Sequence, residues 1–357
     1  MTCRRGMKVP AGALALLLAS GRMGGAAAQP PHTCAALGCG HHDSVCYCTP
    51  TCASYGDCCP DYASACPQKP TPGVVLSDIN LLVTTDMHSW LEGRKHQPLL
   101  NASIADLETM AGMLRERAAA EGKDVFLFDN GDINDGTGLS ASAVNHVDYL
   151  TALLRTVSYD ALNCGNHELY ARGDGHNDFC PITGLQQSGY IESWGGRYLT
   201  SNIVQPNSTT PVGSRYTTLV GKHGTKLLVF GFLYDMPDHC PAVGVLKVEE
   251  VVRSAWFLAA LASQGRAADA IVILAHMDAN DPLVRVIHDA IRASLGPRKP
   301  VQFLTGHSHM RKYARLDGFG SSFEAGCKMD TVGFVSFAKG SRLRNSIDFN
   351  TVDIYVE

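Results

Sequence analysis

The sequence predicts a large α/β domain behind a small disulfide-rich one, and three observations predict it. From Asp78 onward, short apolar runs alternate with stretches of helical period, the pattern of strands buried between helices. Eight of the 13 cysteines lie between Cys34 and Cys66, a density that belongs to an oxidising compartment and to a segment too short to build a core. Between the two regions, Pro67-Gln68-Lys69-Pro70-Thr71-Pro72-Gly73 reads as a stiff, extended linker. The expected boundaries are a signal segment at 1–28, a cysteine domain at 33–67, a linker at 68–75 and the α/β domain at 76–357. The 357 residues are 45% hydrophobic and 18% charged, with net charge −4 and no Lys/Arg run. That excludes wholesale disorder and argues against binding a nucleic-acid polymer.

At the N-terminus, Arg4, Arg5 and Lys8 precede the apolar run from Ala11 to Ala19, and small residues end at Ala26-Ala27-Ala28. This is the order of a secretory signal. The mature protein is expected outside the cell or in the lumen of a vacuole or lysosome. The run is too short to span a bilayer, and no later stretch reaches spanning length. Sequons at Asn101-Ala102-Ser103 and Asn207-Ser208-Thr209 mark candidate glycosylation sites that fit the same compartment.

The cysteine domain holds Cys34, Cys39, Cys46, Cys48, Cys52, Cys58, Cys59 and Cys66. They are expected to form disulfides, in a pairing that spacing does not resolve. Adjacent Cys58 and Cys59 suit a zinc knuckle poorly. The spacing from Cys46 to Cys66, with Tyr55, Asp61 and Tyr62, resembles the somatomedin B domain. The resemblance implies a compact disulfide knot that contacts a protein partner or buttresses a neighbouring catalytic domain.

In the large domain, strands are expected at Ile79 to Val83, Val125 to Phe128, Tyr159 to Leu162, Leu227 to Leu233, Ala270 to Leu274 and Val301 to Leu304. Helices are expected at Ile104 to Ala119, Val144 to Val157, Val248 to Ala262 and Pro282 to Leu295, with a last strand at Thr351 to Val356. Outside the small domain, Cys180 with Cys240 is the first choice for a bridge, and Cys164 reads as a buried thiol.

Polar clusters follow directly on these strands: Asp86-Met87-His88, Gly131-Asp132, Gly165-Asn166-His167-Glu168, His276, and Gly306-His307-Ser308-His309. In α/β sheets, ligands bind at the carboxyl ends of strands. Imidazoles, carboxylates and an amide oxygen gathered there suit zinc, iron or manganese. Asp86-x-His88 and His307-x-His309, read as strand extensions, point their side chains one way. The glycines let the backbone turn out of each strand. The other histidines, 32, 41, 42, 96, 146, 176, 223, 239 and 288, show no such grouping and read as ordinary. Arg172-Gly173-Asp174 reads as a loop coincidence beside the site rather than an adhesive motif.

This order of motifs, over about Asp78 to Phe337, resembles the calcineurin-like metallophosphoesterase superfamily. Tyr159-Asp160-Ala161-Leu162 and Glu324-Ala325-Gly326 resemble its 5′-nucleotidase branch. The resemblance implies a sandwich of two mixed β-sheets flanked by helices, holding two divalent ions, zinc first and manganese or iron as alternatives. Asp86, His88 and His309 would hold one ion, Asn166, His276 and His307 the other, and Asp132 both. Activated hydroxide would attack a phosphoester in line, with His167 assisting the leaving group. Nucleotidases place an acidic orienter three residues after that histidine, where this chain has Tyr170. Asp135 is the candidate orienter instead, set against a plain turn role before Gly136. With Glu357 soon after the last motif, the chain is expected to lack the branch's nucleotide-selecting C-terminal domain, or to be a truncated form. The expected activity is therefore a phosphomonoesterase with base selectivity in doubt. The alternatives are a phosphodiesterase on the same site and a decayed scaffold that binds protein through the cysteine domain.

Overall fold

A computed structural model describes residues 32–37, 45–48, 58–66, 74–93, 102–143, 145–172 and 179–340. The expected signal segment, Cys39, Cys52, Asn101, Val144, residues 173–178 and the expected strand from Thr351 to Val356 lie outside the described residues. The chain divides between Gly73 and Val74 into two compact units.

In the small unit, Cys34–Leu37 and Tyr62–Ala65 are single helical turns. Cys34 is bridged to Cys48 and Cys46 to Cys59, and Cys58 and Cys66 are oxidised as well. The sulfurs and the Tyr62 ring form the interior, because so short a segment has few other side chains to bury. Asp61 accepts from the amides of Cys34 at 2.7 Å and Ala35 at 3.0 Å. It thus caps the first turn from across the sequence. Cys34, Cys48 and Cys59 converge as metal ligands would, but disulfide sulfurs offer no thiolate.

The large unit contains two mixed sheets. The first, in spatial order, is β13 (Gly333–Phe337), β1 (Ile79–Thr84), β2 (Asp124–Asp129), β3 (Ala161–Asn163) and β4 (Tyr198–Leu199). β1 to β4 run parallel, and β13 pairs antiparallel with β1. The second is β11 (Arg311–Arg315), β12 (Gly320–Ala325), β10 (Val301–Thr305), β9 (Ala270–His276), β7 (Lys226–Leu233) and β6 (Tyr216–Val220). Its four inner strands are parallel and both edge strands antiparallel. β5 (Ile203–Val204) and β8 (Gly244–Val245) make a separate small ribbon.

Alternate side chains explain the sandwich. Ile79, Leu81 and Val83 of β1 share one core with Val272 and Leu274 of β9, between the sheets. Leu82 turns the other way, into a core with the helices Ile104–Ala120 and Asp148–Leu154. Ile271 and Ile273 turn toward the helices Val248–Arg253, Ala255–Ala260 and Pro282–Leu295. Strands buried on both faces must be apolar throughout, which is why they read as unbroken runs.

Two expected helices are shorter than their apolar spacing suggests. Asn145 Oδ1 accepts from the amides of Val147 at 3.2 Å and Asp148 at 3.1 Å. Its side chain thus satisfies the first turn itself, and the helix begins at Asp148. The expected helix from Val248 to Ala262 breaks at Ser254, whose ψ of 147° is extended and whose hydroxyl caps the next helix at Phe257. That helix runs into a π-turn, Leu261–Gly265. Cys180 is bridged to Cys240 across 60 residues, while the buried Cys164 keeps its thiol. Among the described residues, no helix is long and apolar enough to cross a membrane.

Leu274 is wholly buried between the sheets. Leu274→Ala should cost about 3 kcal/mol, read as a lower urea midpoint at unchanged m-value. An unchanged midpoint would contradict the inter-sheet core.

Candidate metal centre

The parallel strands bring their carboxyl ends to one edge, and the polar clusters gather there. Asp86, His88, Asp132 and His309 present donor atoms within 4.8 Å of one another, and so do Asp132, His276 and His307. Asp132 belongs to both groups. Asn166 joins the second through Oδ1, which lies 3.0 Å from His276 Nε2 and 2.8 Å from His307 Nδ1. All seven expected ligand positions therefore meet at one place.

His276 closes β9, but Asp86-x-His88 and His307-x-His309 are not the expected strand extensions. β1 ends at Thr84, and Asp86, His88, Asp132, His307 and His309 have φ of 51°, 47°, 56°, 76° and 59°. A period of two does not operate in this left-handed region, which non-glycine residues enter only under local constraint. The constraint is a set of hydrogen bonds. Asp86 accepts from His307 N with both oxygens at 3.0 Å and from Thr85 Oγ1 at 2.5 Å. Glu168 accepts from Gly165 N at 2.7 Å and from Asp132 N and Ile133 N at 2.9 Å. That buried carboxylate ties the turn after β2 to the turn after β3. Glu324 does the same for the His307 turn, accepting from Ser308 Oγ at 2.9 Å and Met310 N at 3.1 Å. Gly165 serves close approach rather than a turn, since a Cβ there would fall on Asp132 Oδ1.

The donor chemistry fits a cation. His88 Nδ1 donates to Asn134 O at 3.0 Å and His276 Nδ1 to Asn130 O at 2.8 Å. Both rings therefore aim Nε2 into the site, as backbone-anchored metal ligands do. His276 Nε2 then faces acceptors, Asn166 Oδ1 at 3.0 Å and Asp132 Oδ2 at 3.1 Å. Acceptors converge on acceptors unless a proton or a metal ion stands between them. Without a metal ion, a proton on His276 Nε2 fits that gap. Burial works against charge on His276, but Asp132 and Asp86 raise its pKa to about 10. Burial also works to raise Asp132, yet His276 and the other imidazoles hold its carboxyl well below the usual range. Burial, with His167 and His309 beside it, brings His88 down to about 4, against the pull of Asp132 and Asp86.

His167 stands at the mouth, its Nε2 3.9 Å from Asp132 Oδ2. Its Nδ1 donates to Asp135 Oδ2 at 2.8 Å. Tyr170 instead takes a hydrogen bond from Asn166 Nδ2 at 3.2 Å. Its ring stands edge-on to His167, with centroids 5.2 Å apart. Tyr234 lies against His307 at 4.7 Å between ring centroids. One sequence reading needs correction: His146 does not stand apart from the other polar residues, because its Nδ1 lies 3.2 Å from Asp135 Oδ1. Arg172, the first residue of the Arg172-Gly173-Asp174 tripeptide, pairs its guanidinium with the same carboxylate.

Residues 79–311 match the calcineurin-like phosphoesterase family, and residues 32–69 match the somatomedin B domain. The chain belongs to the calcineurin-like phosphoesterase family. Within it, the chain is 30% identical over 276 residues to a protein of Arthroderma benhamiae named "Secreted protein", covering 75% of this chain and 40% of that one. It is 30% identical over 262 residues to a Schizosaccharomyces pombe protein, covering 72% and 42%. A 5′-nucleotidase structure from Candida albicans superposes with a TM-score of 0.68 at 27% identity, over 76% of this chain and 50% of that one. The chain spans half or less of the length of these relatives.

Glu168→Gln puts an amide NH2 where a carboxylate oxygen now faces N–H donors. It should cost about 2 kcal/mol and lower the metal content of purified protein. Unchanged melting and unchanged metal would refute its part in shaping the site.

Proposed function

We propose that this chain is a dinuclear, metal-dependent phosphoester hydrolase, foremost a phosphomonoesterase, working in a secretory or vacuolar compartment. The observation that carries the reading is the pair of donor groups sharing Asp132. Asp86, His88 and His309 would hold one ion, and Asn166, His276 and His307 the other. Zinc, manganese or iron suits such nitrogen and oxygen donors. The ions, when bound, supply positive charge to the phosphoryl oxygens and a nucleophile at neutral pH.

The chain's own residues do the rest. Asp132 and Asp86 supply negative charge that keeps the cations in place. Glu168 and Glu324 fix the turns that aim the donors. His167 presents Nε2 toward the site and Nδ1–H to Asp135, an arrangement suited to giving a proton to the departing ester oxygen. Similarity to a 5′-nucleotidase supports a monoester substrate. Disulfides in both units and the secreted relative support the oxidising compartment. Asn207, exposed in a turn, is the glycan acceptor we propose among the described residues. The somatomedin B-like unit is proposed to serve a protein contact.

The test is turnover of AMP, an aryl monoester, a bis-ester and a phosphopeptide, each with and without chelator. Chelator-sensitive release of phosphate is expected, and Asp132→Asn should lower it at least about 100-fold. Full turnover by metal-stripped protein would overturn the reading. Loading should also release protons. His276, with a pKa of about 10, is protonated at neutral pH and must lose that proton to ligate. Calorimetry in buffers of different ionisation enthalpy should therefore register about one proton or more released on loading. None released would contradict a protonated His276 that gives up its proton on loading.

A further inference from the structure

Asp135 carries more than one histidine needs. Its Oδ2 takes His167 Nδ1 at 2.8 Å and also the Arg172 guanidinium, and its Oδ1 lies 3.2 Å from His146 Nδ1. The carboxylate is mostly buried, and its backbone is left-handed at φ 64°. Arg172 is itself fixed. Its amide donates to Phe179 O at 2.8 Å, and Phe179 N donates back to Arg172 O at 2.7 Å. The Phe179 ring meets His146 at 5.2 Å between centroids. The next residue, Cys180, is bridged to Cys240. A closed circuit results: Asp135, His146, Phe179, Arg172 and back to Asp135, with His167 docked on the carboxylate. The guanidinium lies over the Tyr170 ring at 5.3 Å, and its buried Nε has no hydrogen-bond partner among the described residues. Holding such a group beside the site has a cost, and the pairing with Asp135 offsets it.

We propose that Arg172 is a positioning residue, whose guanidinium fixes the Asp135 carboxylate in the orientation that holds the His167 ring toward the leaving-group side of the site. The role rests on the hydrolase reading above and adds to it a residue contributed from beyond the Asn166-His167 motif. With two imidazoles on one carboxylate, rotation toward His146 would release His167. Arg172, sharing Oδ2 with His167, opposes that rotation. A bidentate-capable, permanently charged fork suits this task, and a lysine would meet it only as a point charge.

The test compares Arg172→Ala and Arg172→Lys with the parent on an alkyl phosphate and on an activated aryl phosphate. Only the alkyl ester needs a proton from His167 to expel its oxygen. For Arg172→Ala, kcat on the alkyl ester should fall about 10-fold, with KM, metal content and aryl turnover within about twofold. Arg172→Lys should recover part of the loss. Equal loss on both esters, a change in KM alone, or no loss would overturn the proposal. A second readout does not depend on turnover. The low-field imidazole N–H proton of His167, observed by NMR in the full chain, should persist in the parent and broaden or vanish in Arg172→Ala. If it persists unchanged in that variant, Arg172 does not position His167. A parent that binds metal yet hydrolyses neither ester would instead count against the hydrolase reading, and the NMR comparison would still decide the role of Arg172.

Discussion

One buried carboxylate that ligates nothing holds the site together. Glu168 accepts three backbone amides, one from the turn after β3 and two from the turn after β2. Those turns carry Asn166 and Asp132. Without the bonds, two backbones with unpaired amides would have to approach in the interior, which costs more than most single contacts return. With them, Asp132 stands between two groups of imidazoles. Its amide and one carboxylate oxygen are occupied by the protein, since Oδ1 accepts from His167 N at 2.8 Å. Oδ2 is left facing the histidines. Burial raises the pKa of Glu168, so its hydrogen bonds do the work of keeping a carboxyl group in place at that depth.

The sandwich makes this possible. Parallel pairing of β1 to β4, and of β7, β9, β10 and β12, sends strand ends of both sheets to one edge. The core between the sheets then sets how far apart those ends sit. Left-handed residues at five donor positions store strain, and the packed layers beneath leave the turns no cheaper arrangement. Strain here accompanies function, as the crowding of acceptor on acceptor around His276 also does.

Sequence revealed the parts whose signal is local. β1, β2, β7, β9 and β10 are continuous apolar runs because both faces are buried. The donor residues were legible because each follows a strand in a fixed order. β12 was not legible. Gly320-Ser321-Ser322-Phe323-Glu324-Ala325 is polar, yet every residue is buried. Ser321 is satisfied by Gln302 at 2.7 Å and Glu324 by Ser308, partners that only the fold brings near. β11 is a charged edge strand with no apolar run to read. The cluster on Asp135 stayed hidden for the same reason. His146 and Arg172 lie 11 and 37 residues from Asp135 in sequence, and nothing in their own surroundings ties them to that carboxylate. Ser254 broke a helix whose apolar spacing continues through it, because its hydroxyl offered the backbone a cap.

The proposed chemistry requires two cations that share Asp132. Anomalous diffraction from crystals of metal-loaded protein, collected at the absorption edge of the metal used, tests it most directly. Two peaks are expected to flank the Asp132 carboxylate, roughly 3.5–4 Å apart, one beside Asp86, His88 and His309 and the other beside Asn166, His276 and His307. A single peak, or peaks elsewhere in a protein shown to be loaded, would contradict it.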